Sequence, residues 1–138
     1  MLATFFETPC TYMYLSVSGG ITLGGSNRDR NQGLVYYKGR PICDDSQDTS
    51  NAWDMNDATV VCKMFGFSRA TKSHRNCGGL GFGACAPAGT PFALSGFKCI
   101  GNETHILDCQ HDTIVATNCG NNGVSDGEGL DEVAIECT

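Results

Sequence analysis

The chain of 138 residues lacks the short patterns that mark most catalytic and metal sites. It has no GxSxG, HExxH, phosphate-loop or EF-hand spacing. No two of its nine cysteines are closer than eight residues, so the CxxC pairs of zinc ribbons and thioredoxins are absent. A catalytic pair of Cys109 with His105 or His111 is rejected in favour of a bridged cysteine and ordinary histidines. We therefore expect no enzymatic activity from this chain.

Positive charge is scarce and unevenly placed. The net charge is −6, no Lys or Arg occurs from Pro41 to Cys62, and none follows Lys98. The stretches 43–62 and 119–137 together hold ten of the fifteen acids. Affinity for nucleic acid depends on neutralising phosphates with Lys and Arg. The charge distribution therefore argues against a nucleic-acid partner.

The chain also lacks any apolar run long enough to span a membrane. Its first residues, "MLATFFETPC", have no basic segment, and Glu7 and Pro9 interrupt the apolar part of a signal peptide. No direct membrane insertion is expected. We expect a mature fragment, or one domain of a longer secreted or membrane-anchored protein.

The cysteines indicate an oxidising compartment. Nine spread-out cysteines in 138 residues are typical of a disulfide framework. This predicts a secreted protein or the extracellular face of a membrane-anchored one. Because the number is odd, at least one thiol is free or pairs with another chain, and counting alone leaves the connectivity open.

Strand-like alternation occurs at both ends of the chain. "CTYMYLSV" (10–17) and "EVAIEC" (132–137) alternate apolar with other residues, and "EVAIEC" is expected to be a half-buried final strand. "ITL" is expected to end in a turn at Gly24-Gly25, and "GLVYYKG" (33–39) to form a second strand. The glycine-rich and proline-rich residues 76–96 are interpreted as a long loop.

One helix is predicted in "DMNDATVVCKMFG". Asp54 can cap it, and Asp57 three residues later gives a pair resembling a capping box. Ala58, Val61, Cys62 and Phe65 share one face, so Cys62 should point into the core. Gly66 is a natural stop.

From about Ile21 to Cys137 the chain resembles a scavenger receptor cysteine-rich (SRCR) domain. The matching pieces, in order, are "GLVYYKGRPICDD", "WDMNDATVVCKMFGF", "FKCIGNETHILDCQH", "TNCG" and "EVAIEC". The resemblance implies an α+β fold, with a curved antiparallel sheet around one main helix, loop-rich and stapled by disulfides. Residues 1–20 would form an extension with an added strand, and residues 21–138 the domain.

The resemblance also implies three bridges: Cys43–Cys119, Cys62–Cys137 and Cys99–Cys109. The extra pair that marks one subclass is missing, since Phe67 stands where its second member would be. Outside the family pattern, we expect Cys77 to pair with Cys85 and Cys10 to be unpaired or intermolecular. Two departures set this chain apart, an insertion from Gln47 to Ala52 and a long segment from Gly120 to Glu136.

Family members often bind a divalent cation through acids that map to Asp44, Asp45 and Asp131, with Glu132 adjacent. If Cys43 is bonded to Cys119, both acidic loops start from one bridge. Two like charges 4 Å apart repel by about 4 kcal/mol at an effective dielectric of 20, and Ca²⁺, or alternatively Mg²⁺, would relieve this repulsion. The alternative is an acidic, solvated rim of turns.

The sequence suggests three further sites. A second family cation site would use Asn118, but Ser95 and Gly96 replace its acids, so Asp126 and Glu128 are proposed as substitutes. The basic residues of "SRATKSHR" could bind polyanions or form a solvated loop, and they are Arg69, Lys72, His74 and Arg75. Asn102 begins an "NET" glycosylation sequon in a surface turn.

These patterns together predict a calcium-assisted extracellular recognition module of the scavenger or adhesion type. Its ligand would be an extracellular protein, an anionic group or a polyanionic glycan. The alternative is a structural subunit of an extracellular assembly, self-associating through Cys10 and the added N-terminal strand 11–18.

Overall fold

The computed structural model describes residues 17–45, 52–75, 86, 89–117, 119 and 131–138. Within them the chain forms one α-helix, one short 3₁₀ helix and six strands. The helices are α1 (Met55–Met64) and a 3₁₀ turn (Ile106–Asp108). The strands are β1 (Val17–Ser18), β2 (Ile21–Asp29), β3 (Gln32–Tyr37), β4 (Arg40–Pro41), β5 (Ala70–His74) and β6 (Ala134–Cys137).

The strands form one antiparallel sheet in the order β1-β2-β3-β6-β5, with β4 paired to β3. The last strand of the chain therefore lies between β3 and β5. Val133, Ala134 and Ile135 are all fully buried, so this strand is covered on both faces. The expectation of a half-buried final strand was wrong because β6 is central in the sheet. The antiparallel α+β fold itself is confirmed.

The predicted turn at Gly24-Gly25 was also wrong. The strand β2 continues to Asp29, and only its register with β3 is irregular between Gly24 and Asp29. A glycine inside a strand often marks a bulge or a close approach. A Cβ at Gly24 would lie 2.9 Å from Cε1 of Tyr36, so the ring of the neighbouring strand occupies the space of a side chain.

Of the added N-terminal strand predicted at 11–18, the described part is Val17–Ser18, which pairs with the start of β2. The remainder lies outside the described residues.

The solvated loop considered for the basic segment is instead the edge strand β5. It pairs with β6, with Lys72 opposite Glu136 and His74 opposite Ala134. Its sequence, "ATKSH", has little apolar alternation, because an edge strand buries few side chains. The first residue, Ala70, is buried, and its N–H donates to Thr59 Oγ1 of α1 at 3.1 Å.

The helix forms as the sequence predicts. Asp54 caps it, and Asp57 completes the capping box by accepting from the Asp54 backbone N–H. Gly66 follows the helix with φ +90°, a conformation that favours glycine. None of the helices in the described part of the chain has the length and apolar character that a membrane crossing requires.

Three disulfides join the helix, the sheet and the loops, and all three were predicted. Cys62 of α1 is bonded to Cys137 of β6, and the other bridges are Cys43–Cys119 and Cys99–Cys109. The cysteines of the Cys62–Cys137 and Cys99–Cys109 bridges lie among buried apolar side chains, which include Ile21, Val35, Ile42, Trp53, Val61, Phe97, Ile106, Val133 and Ile135. The predicted Cys77–Cys85 pair and Cys10 lie outside the described residues.

Candidate functional site

Three carboxylates converge at one end of the sheet. One oxygen each of Asp44, Asp45 and Asp131, together with the sulfur of Cys43, lie within 4.8 Å of one another. Cys43 is bonded to Cys119, so its sulfur is not a thiolate ligand. The three aspartates, called the acidic cluster below, are the groups at this place that could hold a cation.

Backbone hydrogen bonds hold the acidic cluster together. Cys43 pairs with Glu132 as an antiparallel bridge, and the Asp44 N–H donates to the Asp131 carbonyl at 2.7 Å. The loop at Gly96 adds a third segment, because its N–H donates to the Asp45 carbonyl at 2.8 Å. The segments that carry Asp44 and Asp131 are therefore joined by direct strand-like pairing.

Asp44 is the most unusual member of the cluster. It is only 6% exposed, and its Oδ1 has no hydrogen-bond partner among the described residues. Burial, together with the negative charges of Asp45 and Asp131, raises the pKa of Asp44 to about 7. A buried carboxylate oxygen normally has a partner, since leaving it unpaired costs free energy. This oxygen is therefore available to a cation.

Arg75 supplies the positive charge nearest to the cluster. Its Nε lies 3.2 Å from Asp44 Oδ2, and one of its terminal nitrogens lies 3.5 Å from Asp45 Oδ1. Its attraction opposes the rise in the pKa of Asp44 without reversing it. The sequence placed Arg75 in a basic cluster for ligands and did not predict its contact with the acids.

The other basic residues of that cluster have different surroundings. Lys72 pairs with Glu136 across the sheet at 3.7 Å, whereas within the described residues Arg69 pairs with no carboxylate. His74 is half-buried at the end of β5. The four predicted basic residues thus comprise one exposed arginine, one half-buried histidine and two ion-paired side chains, those of Lys72 and Arg75.

The Glu132 carboxylate is not part of the acidic cluster. It is 1% exposed, and both of its carboxylate oxygens accept from the Ala86 N–H, at 2.8 and 3.3 Å. Burial raises the pKa of Glu132 to about 7. Its carboxylate therefore anchors the backbone at Ala86, a contact that sequence spacing could not reveal.

The second cation site predicted from Asn118, Asp126 and Glu128 lies outside the described residues. The structure does describe Ser95 and Gly96, which stand where the family has acids. The Asp112 carboxylate accepts from Ser95 Oγ at 2.8 Å and lies directly over Gly96. A carboxylate from elsewhere in the chain thus occupies this place.

The loop closed by Cys99 and Cys109 carries the glycosylation sequon. Glu103 accepts from the backbone N–H groups of Ile100 and Gly101, at 2.9 and 3.0 Å, and these bonds lower its pKa. Asn102, the residue before Glu103, is exposed. The loop geometry is thus fixed locally, with the asparagine facing solvent.

The two histidines considered for catalysis have structural contacts. His105 Nδ1 accepts from the Leu107 N–H at 3.0 Å, and the ring of His111 stacks on Phe97 at 5.3 Å between centroids. Cys109 is bonded to Cys99, so it offers no nucleophilic thiol.

Comparison with known proteins identifies relatives of this fold. A family model, the scavenger receptor cysteine-rich domain, matches residues 26–137. The macrophage receptor MARCO of Mus musculus is 32% identical over 118 residues, which cover 84% of this chain and 18% of that protein. The galectin-3-binding protein of Bos taurus is 36% identical over 100 residues, covering 70% of this chain and 15% of that protein. The chain thus spans less than a fifth of these relatives.

Solved structures agree with the family match. The dimeric form of the SRCR domain of mouse MARCO aligns with a TM-score of 0.52 and 28% identity, covering 95% of this chain and all of that one. The third SRCR domain of murine neurotrypsin aligns with a TM-score of 0.52, 24% identity, and coverage of 86% and 96%, and it supports the fold alone. The three bridges, the capped helix and these matches together show that the chain belongs to the scavenger receptor cysteine-rich domain family.

Proposed function

We propose that this domain is an extracellular ligand-recognition module assisted by a calcium ion in the acidic cluster. The observation that carries the proposal is the convergence of Asp44, Asp45 and Asp131 with one buried, unpartnered oxygen among the described residues. The family resemblance suggested the same three aspartates. The geometry adds a physical reason for a cation, since it would relieve both the repulsion and the unpaired oxygen.

The donor set fits a hard cation. All three side chains offer carboxylate oxygens, the ligands that Ca²⁺ and Mg²⁺ prefer. Ca²⁺ accepts irregular sets of six to eight oxygens, whereas Mg²⁺ demands near-octahedral geometry. Donors that come from two separate segments therefore favour Ca²⁺, with Mg²⁺ as the alternative.

An anionic group is the ligand class that this site suits. A calcium ion held by three protein side chains would retain coordination positions for a carboxylate of a protein or a sulfate of a glycan. The names of the relatives support a recognition role, since one is a macrophage receptor and another a galectin-3-binding protein. We infer the same kind of role here, outside the cell, because the disulfides require an oxidising compartment.

Calorimetric titration with calcium tests the metal site. Wild type should bind one ion at this cluster, and Asp45→Ala should lose most of that binding. Asp54→Asn is the matched control, because it removes one acidic charge elsewhere while asparagine keeps the helix cap. Equal heats in wild type and Asp45→Ala, or no heat in either, would refute the proposal.

Self-association is the second candidate function. The mouse MARCO domain has a dimeric form, and β1 and β5 are the edge strands of the sheet in the described residues. An edge strand can pair with another chain. Non-reducing electrophoresis separates the candidates. A covalent dimer that is lost in Cys10→Ser favours assembly, whereas a monomer that binds an anionic ligand only with calcium favours recognition.

A further inference from the structure

Arg75 occupies a position that a bound cation would compete for. Its guanidinium contacts Asp44 Oδ2 and Asp45 Oδ1, two of the three acids in the cluster. Three carboxylates and one guanidinium leave an excess of negative charge at this place. Arg75 therefore relieves the repulsion of the cluster only in part.

The contact of Arg75 is also easy to break. Its side chain is 53% exposed, whereas that of Asp44 is 8% exposed, so water can replace the guanidinium without opening the core. Exposed ion pairs of this kind are worth little in solution. The buried oxygen of the pair, Asp44 Oδ1, does not take part in the contact and has no partner in the described part of the chain.

We propose that Arg75 is the resident counter-ion of the acidic cluster and that a divalent cation displaces it. The inference rests on the proposed calcium site and adds its regulation. Before the ion binds, the guanidinium holds Asp44 and Asp45 together. When the ion arrives, the guanidinium swings into solvent beside it and can contact the same anionic ligand.

Electrostatics sets the direction of the effect. A divalent ion within about 5 Å of a guanidinium is repelled even at an effective dielectric near 20. The arginine must therefore move away, and breaking its two contacts opposes ion binding. Removing the guanidinium should strengthen calcium binding about five-fold, because the ion no longer competes with an exposed ion pair of modest strength.

The test combines two measurements on Arg75→Gln. In calorimetric titration, the variant should bind calcium about five-fold more tightly than wild type. In thermal unfolding with a chelator, the same variant should melt at a lower temperature, because the acids lose their counter-ion. Lys72→Gln is the control, since it removes the same charge from a pair with Glu136 and should leave calcium affinity within about two-fold.

The outcomes separate this inference from the calcium site itself. If wild type binds calcium and Arg75→Gln binds it equally or more weakly, Arg75 either positions the acids or has no effect on the ion. In both cases displacement of Arg75 by the ion is refuted. If Arg75→Gln and Lys72→Gln gain the same affinity for calcium, the gain comes from the lower net charge of the protein and not from the position of Arg75, and displacement is again refuted. If neither wild type nor Arg75→Gln binds calcium, the proposed metal site fails, and the competition fails with it.

Discussion

Asp57 links the start of the helix to the third disulfide, and its removal should cost more than the loss of a helix cap. Its side chain is fully buried. One oxygen accepts from the Asp54 N–H at 2.9 Å, and the other accepts from the Cys99 N–H at 2.9 Å. Cys99 is bonded to Cys109, so this carboxylate connects α1 to the disulfide loop.

The magnitude follows from these two bonds. A hydrogen bond to a charged group contributes about 1.5–3 kcal/mol, and an unpaired buried N–H costs about 1–3 kcal/mol. Burial opposes this gain, since it raises the pKa of Asp57 to about 7 although the Cys99 and Asp54 N–H groups lower it. We therefore expect Asp57→Ala to lower the free energy of unfolding by about 3 kcal/mol.

Asp54→Ala is the matched control, because it removes the other half of the capping box. It loses the bond to the Asp57 N–H and should cost about 1 kcal/mol. Guanidinium unfolding at pH 8 with the disulfides intact measures both free energies. If Asp57→Ala is no more destabilised than Asp54→Ala, the bond to Cys99 does not contribute as argued.

Three further predictions concern pH, glycine and polyanions. Burial raises the pKa values of Asp44, Asp57 and Glu132 to about 7, from ordinary values of 3.8–4.5. Between those values, the folded state therefore binds more protons than the unfolded state. With a chelator present, stability should therefore fall as pH rises from 5 to 8, and a stability that rises instead would contradict this. Gly96→Ala should destabilise the domain more than Gly89→Ala. Both glycines have a positive φ, but only at Gly96 would a new Cβ meet a carboxylate, that of Asp112. Equal melting temperatures of the two variants would contradict this. Retention on immobilised heparin should increase with calcium, and Arg75→Gln should keep only the part of that increase that the ion itself provides, whereas an increase in Arg75→Gln equal to that of wild type would rule out a contribution from a freed arginine.

Sequence patterns predicted the features that depend on local spacing. The capping box, the glycine stop and the direction of Cys62 follow from positions within one helix. The three bridges came from the resemblance, because cysteine spacing alone allows many pairings. Gly24 was misjudged, since a glycine inside a strand becomes intelligible only when the ring of Tyr36 is placed against it.

The acids of the candidate site could be predicted from the sequence, but the residues that contact them could not. The family resemblance, with the Cys43–Cys119 bridge that it implies, suggested that Asp44 and Asp45 would lie close to Asp131. The contact of Arg75 with these acids depends on how β5 is placed beside β6, 30 residues along the chain from Asp45. Such long-range contacts are set by packing, and no local pattern carries them.

A crystal grown with calcium and measured for anomalous scattering would show directly whether the acidic cluster binds an ion. We expect one peak within about 2.3–2.6 Å of carboxylate oxygens of Asp44, Asp45 and Asp131. We also expect the Arg75 guanidinium to have moved away from Asp44. A cluster without a peak at saturating calcium, with Arg75 still bonded to Asp44 and Asp45, would refute both the calcium site and the displacement of Arg75.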